Sequence, residues 1–322
     1  TVNGCPSKYD TVNVNAIPLP VAFLSTPPAT VCASDPSIDL GFVPPFQAGS
    51  QTFTNCNATG ANGPDQAAAD AEYGSGVVTV SAGIQEWIVP VTGTIRIEAI
   101  GASGGDGNDG PNTQPGKGAK IAGDFQLNAG DVLKIIVGQE GLAQGGGGGG
   151  GGTFVWINGQ NAPLIVAGGG GGSGDEGQSG VPLAFNGKDA VIIQDGTSSG
   201  ANVGQGGTNG SGGLSNGGGA GAGWLANGAG GALGGKSPIN GGQGGINGSV
   251  SGGFGGGGAN QSQGGDSEAA GAGGGYSGGG SGNGSEDDGG GGGGSFNSGT
   301  NQQNVAGFNL GHGSVVVTWQ IA

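Results

Sequence analysis

Gly230–Ser237 reads GGALGGKS, one match to the GxxxxGK[ST] pattern that cradles phosphates. Such a loop needs a strand before it and a helix after it, so that backbone amides converge on the anion. Here Gly- and Ala-rich sequence precedes the match, and Pro238-Ile239-Asn240-Gly241 follows. Chance accounts for it at this glycine content. GxGxxG patterns recur along the chain without any βαβ pattern around them, so they carry no dinucleotide site. His312 is the single histidine. Nothing is spaced to pair with it as a triad base, so it reads as a turn residue before the last strand. Glu86, Glu98, Asp124 and Asp131 sit on strand or turn positions expected to face solvent. The chain therefore reads as non-enzymatic.

Calcium is the metal these residues suit best, because hard cations take carboxylate and carbonyl oxygens. Gly104–Asp109 (GGDGND) matches the GGxGxD calcium repeat once, which makes Asp106 and Asp109 candidates. That repeat works in tandem, and Pro111 stands where an apolar strand residue belongs. Asp287, within Glu286-Asp287-Asp288, is a third candidate. Solvated acidic turns explain the same residues, and no other cofactor is implied. Cys5, Cys32 and Cys56 all lie in the first fifth of the chain. No CxxC occurs, and one histidine cannot complete a Cys/His zinc site. One disulfide among the three is expected, with the pairing open; three buried thiols is the other reading.

The elements that must position these residues are unusual. Of 322 residues 88 are Gly, only 9% are charged, and the net charge is −15 with seven Lys plus Arg. That charge argues against nucleic acid, because phosphate contacts need cations, and against basic docking on anionic membranes. No apolar run reaches the length of a membrane span, so no insertion is expected. The chain begins at Thr1, holds no Met and shows no signal peptide, which reads as a processed chain or a fragment. Sequons at Asn57, Asn209, Asn247, Asn260 and Asn283 permit glycosylation.

Residues 1–75 are Pro-rich and Gly-poor, and form an extended N-terminal segment, a strand donor or small β region. Val12–Val31 (VNVNAIPLPVAFLSTPPATV) is apolar but interrupted by Pro, so it reads as extended chain or edge strand rather than helix. Val12, Val14, Ile17, Leu19, Val21, Phe23 and Leu24 are its assembly candidates. Residues 64–72 (PDQAAADAE) suit one short helical turn. From residue 76 strand patterns dominate: 77–80, 84–90, 94–100, 119–127, 132–137, 154–157, 164–167, 190–193 and 314–321. This is an all-β pattern, a sandwich or jelly roll with strands in 76–195 and 303–322.

Glycine fills the stretches between: 101–118, 141–152, 168–188 and 196–302. Residues 201–250 hold 21 Gly and 251–300 hold 24, at irregular spacing that excludes collagen. A flexible linker is one reading. The other is a bundle of polyglycine-II helices, whose outward amides bond laterally and replace a side-chain core. Trp224, Leu225 and Phe254 favour the second, since a linker has little use for them.

Several stretches, in order, resemble the glycine-rich extracellular domain of the anaplastic lymphoma kinase and leukocyte tyrosine kinase receptors. They are Ile84–Gly105, Ile121–Gly141, Gly145–Gly172, Gly252–Gly258, Gly273–Gly275 before Tyr276, and Gly311-His312-Gly313. The resemblance spans roughly 76–322 and implies a jelly-roll-like sandwich carrying polyglycine-II helices, in a unit that binds protein ligands. The kinase, the membrane span and the cysteines of the receptors' glycine region have no counterpart here. Glycine-rich phage tail-fibre adhesins are a looser likeness. Two functions are expected. The first is an extracellular structural subunit that joins copies of itself through residues 1–75 into a surface filament or layer. The alternative is a monomeric adhesin or receptor-like module that binds a cell-surface protein or glycan.

Overall fold

In the computed structural model, residues 48–107, 113–143, 145–174, 185–199, 204–248, 250–262, 268–283 and 288–320 are described. Strand β1 (Gly49–Phe53) and helix α1 (Gln66–Tyr73) come first. The helix starts where the Asp65 carboxylate accepts the Ala68 N–H at 2.8 Å, and stops at Gly74, whose φ is 90°. Strands β2 (Thr79–Ser81), β3 (Ile84–Ile88), β4 (Gly93–Ile100), β5 (Gly118–Leu127), β6 (Val132–Ile136), β7 (Thr153–Ile157) and β8 (Ile165–Ala167) follow. The chain then runs through short pieces, β9 (Gln261–Ser262), β10 (Glu268–Ala269) and β11 (Phe296–Asn297), to β12 (Thr300–Asn309) and β13 (Ser314–Trp319).

These strands form two antiparallel sheets, β1-β13-β4-β5-β12 and β11-β8-β7-β6-β3-β2, with β9 and β10 paired apart from them. Alternation explains how they stack. In β4 the side chains of Ile95, Ile97 and Ala99 are buried, while Thr94, Arg96 and Glu98 point the other way. The inward rows of both sheets meet in one core that includes Phe53, Ile97, Ile121, Leu133, Val155 and Val317. The expected all-β sandwich is present. It takes its edge strand β1 from ahead of residue 76.

The second sheet is covered on both faces. Its outward row of Ile136, Phe154, Trp156 and Val166 packs against Trp224 and Phe254 of the glycine-rich region. That region is organised by backbone hydrogen bonds with a period of three. Along Gly145–Gly152, the N–H groups of Gly147 and Gly150 donate to Ser173 and Gly170, at 2.7 and 2.8 Å. Those of Gly148 and Gly151 donate to Leu142 and Gln139, at 3.0 and 2.9 Å. Those of Gly149 and Gly152 donate to Gly258 and Gly255, at 2.8 and 2.9 Å. The carbonyls of the same run accept from Ala102 and Gly105, from Gly271 and Gly274, and from Gly253. The run is thus bonded to segments on six sides. A Cβ at Gly172 would overlap the Gly147 carbonyl, which is why side chains are missing here.

Residues 190–193, expected as a strand, join no ladder. The Ala190 N–H donates to Lys117 and that of Val191 to Gly293, so this stretch is bonded into the glycine segments instead.

Candidate recognition surface

Cross-strand register accounts for most of the charged residues. Arg96 meets Asp124 at 2.7 Å, Lys120 meets Glu98 at 2.8 Å, and Lys134 meets Glu86 at 3.1 Å. Each pair sits on directly opposed residues of neighbouring strands. Asp131 closes a turn by accepting the Asn128 N–H at 2.8 Å. These four carboxylates therefore lock strands and turns. Asp124 is the most constrained. The Asn301 amide and the Arg96 guanidinium hold its carboxyl below the ordinary carboxylate range.

His312 lies where the glycine segments meet the first sheet. Its Nδ1 accepts the Glu140 backbone N–H at 3.0 Å, and the Glu140 carboxylate accepts from Ser103 Oγ at 3.1 Å. That leaves the imidazole structurally employed, with no nucleophile hydrogen-bonded to it among the described residues. Asp106 lies in the same depression and accepts from the hydroxyls of Ser173 at 3.1 Å and Thr113 at 3.4 Å. Among the described residues no group of three or more His, Cys, Asp or Glu is placed to hold a metal ion. Asp109 and Asp287 lie outside the described residues, as do Cys5, Cys32 and the assembly candidates Val12 to Leu24. Cys56 is a buried thiol beside the Tyr73 hydroxyl, at 3.2 Å. Burial pushes both groups above their ordinary pKa, so neither ionises readily. The GGALGGKS stretch runs among glycine segments into a short 3-10 turn, Pro238–Asn240, that offers no row of helix amides.

The depression with recognition chemistry lies where the second sheet meets the glycine region. A cavity of about 490 Å³ is lined by Lys134, Trp156, Asn161, Trp224, Leu225 and Ile239, among others. Strand pairing places Lys134 beside Trp156. Trp156 and Trp224 pack edge to face with centroids 5.5 Å apart, and Trp224 Nε1 donates to the Asn161 carbonyl at 3.0 Å. Two apolar side chains stand at the rim in water: Leu225 is 58% exposed and Ile239 67%. Aromatic walls, one cation and an uncovered aliphatic rim suit a partner with its own apolar surface. Sequence alone marks Trp224 and Leu225 as out of place in glycine-rich chain. It gives no sign that Lys134 and Ile239 join them.

No family model matches this chain. Over 144 residues it is 34% identical to the leukocyte tyrosine kinase receptor of Mus musculus, a stretch covering 42% of this chain. The match spans 16% of the receptor's length. Among the described residues no helix is long and apolar enough to cross a membrane.

Proposed function

We propose that this chain is a non-enzymatic, extracellular recognition module of receptor-like type. The observation that carries this is its partial identity with a tyrosine kinase receptor. The glycine-rich extracellular region is the part of such receptors that the sequence resembles. The cleft at Trp156, Trp224, Leu225 and Ile239 is the binding surface, and its partner is a cell-surface protein or glycan. The segments with three-residue bonding are polyglycine-II helices, which have about three residues per turn and no internal hydrogen bonds. They give the cleft a rigid floor. Scalar couplings across Gly147–Gly152 and Gly169–Gly174 test this, with φ near about −75° expected. Binding is tested by titrating labelled protein onto intact cells, beside the double variant Leu225→Glu, Ile239→Glu. A loss of tenfold or more is expected; equal binding by both proteins rules out the cleft.

A second reading is favoured by β12, a ten-residue edge strand without one charged side chain. On that reading the chain assembles with itself through its N-terminal segment. Electron microscopy of the intact chain beside one lacking residues 1–47 separates the two. That truncation spares β1, which belongs to the first sheet. Filaments or layers from the intact chain alone support assembly, and single particles from both leave the receptor-like module.

A further inference from the structure

An edge strand offers unpaired backbone groups to any extended chain, and proteins usually guard it with Lys, Pro or inward charges. Strand β12 carries none of these. It closes one side of the five-stranded sheet, and most of its residues are exposed. Its pairing with β5 shifts register on either side of Gln303–Val305. Its outer side is engaged at Gly307, whose N–H donates to the Ala190 carbonyl at 3.2 Å. Val305 is 46% exposed, Phe308 48%, and Leu310 just beyond it 63%. This is an apolar, uncharged edge on a chain of net charge −15.

Residues 11–34 form a second uncharged stretch, and the order of residues within it is informative. In a strand, the N–H and C=O of residue i point to one edge and those of i+1 to the other. Pro18 and Pro20 therefore remove donors from the same edge. The opposite edge keeps the groups of Ile17, Leu19, Val21 and Phe23 intact. Those four side chains also share one face. A segment built this way pairs on one side only, as the last strand of a sheet. Its apolar row matches the exposed Val305, Phe308 and Leu310.

We propose that the outer edge of β12 receives residues 17–23 of a second copy of this chain as an added strand. The proposal rests on the self-assembly reading given above. Two features select a neighbouring copy over the same molecule. The segment joins the sheet through β1, the edge opposite β12, four strand spacings or roughly 19 Å away. The connection holds Pro27-Pro28 and Pro44-Pro45. Over its roughly 20 residues, extended Pro-rich chain spans about 60 Å, far more than that crossing needs. A stiff spacer longer than its span disfavours intramolecular docking. Donor and acceptor on opposite edges make a head-to-tail contact that does not close on itself.

The test uses two complementary full-length or near full-length proteins in sedimentation analysis. One lacks residues 1–47 and offers only the edge. The other is intact but carries Gln303→Lys and Ala306→Lys, both at exposed positions, and offers only the segment. Each alone is expected to sediment as a monomer, with circular dichroism unchanged from the intact chain. Mixed, they form a 1:1 complex of doubled mass, whereas the intact protein forms longer species. In the segment donor, Leu19→Pro abolishes the complex and Pro18→Ala preserves it. Long species from the Lys variant alone overturn docking at β12 while leaving self-assembly standing. An intact protein that stays monomeric at every concentration overturns both. A complex that tolerates Leu19→Pro overturns strand pairing.

Discussion

A methyl group at Gly149 would overlap the carbonyl of Ala272, whereas at Gly146 the nearest atom, the Glu268 carbonyl oxygen, would lie 3.4 Å away. The two glycines share one run but differ in what alanine does. Alanine restricts the unfolded chain and stabilises by about 0.4–1 kcal/mol where space allows. Forcing an atom into a filled site costs about 1–3 kcal/mol. Gly149→Ala should therefore lower the melting temperature and Gly146→Ala should hold or raise it, as read by calorimetry. Asp124 gives a prediction with a pH sign. Its folded carboxyl titrates below the ordinary value, so its stabilisation is present above the unfolded pKa, about 3.9. It is lost as pH falls through the folded value. Asp124→Asn should lower the melting temperature near neutral pH, with the gap to the parent closing in acid.

At the scale of elements, the interlock between sheet and glycine region rests on few side chains. Trp224 packs on both Phe154 and Trp156, with centroids 6.2 and 5.5 Å apart. Trp224→Ala should cost about 3–5 kcal/mol, measured by chemical denaturation, and should expose the cleft's floor. The strands that build this interlock are legible in the sequence, because burial on a sheet face imposes alternation, as in Thr94–Ile100. Strand β12 is not legible as a strand. TNQQNVAGFN faces water along an edge, so nothing selects alternating apolar residues. Strand β1 hides for a related reason, since only Phe53 of its five residues is fully buried. The opposite error falls at 190–193, where β-branched residues suggest a strand. Ile192 and Ile193 are instead largely exposed, beside backbone bonded to Lys117 and Gly293. In the candidate cleft, Trp224 and Leu225 stand out in sequence. Lys134 and Ile239 reach it through register and tertiary packing that no local pattern encodes.

For the whole molecule, the glycine-rich region decides whether the chain is a sandwich trailing linker or one rigid unit. Fixing a residue costs about 1–2 kcal/mol, and glycine buries no side chain in return. Backbone bonding must then be nearly complete for the region to be ordered. The six-sided bonding of Gly145–Gly152 meets that condition, and Trp224 and Phe254 tie the region to the second sheet. A rigid region fixes the rim residues Leu225 and Ile239 against Trp156, as recognition by a preformed surface requires. Hydrogen–deuterium exchange, followed peptide by peptide in the native protein, tests this most directly. The account predicts that amides of 147–152, 169–174, 271–275 and 290–294 exchange as slowly as those of β4 and β5. Rapid exchange throughout these segments, with protection confined to the two sheets, would contradict it.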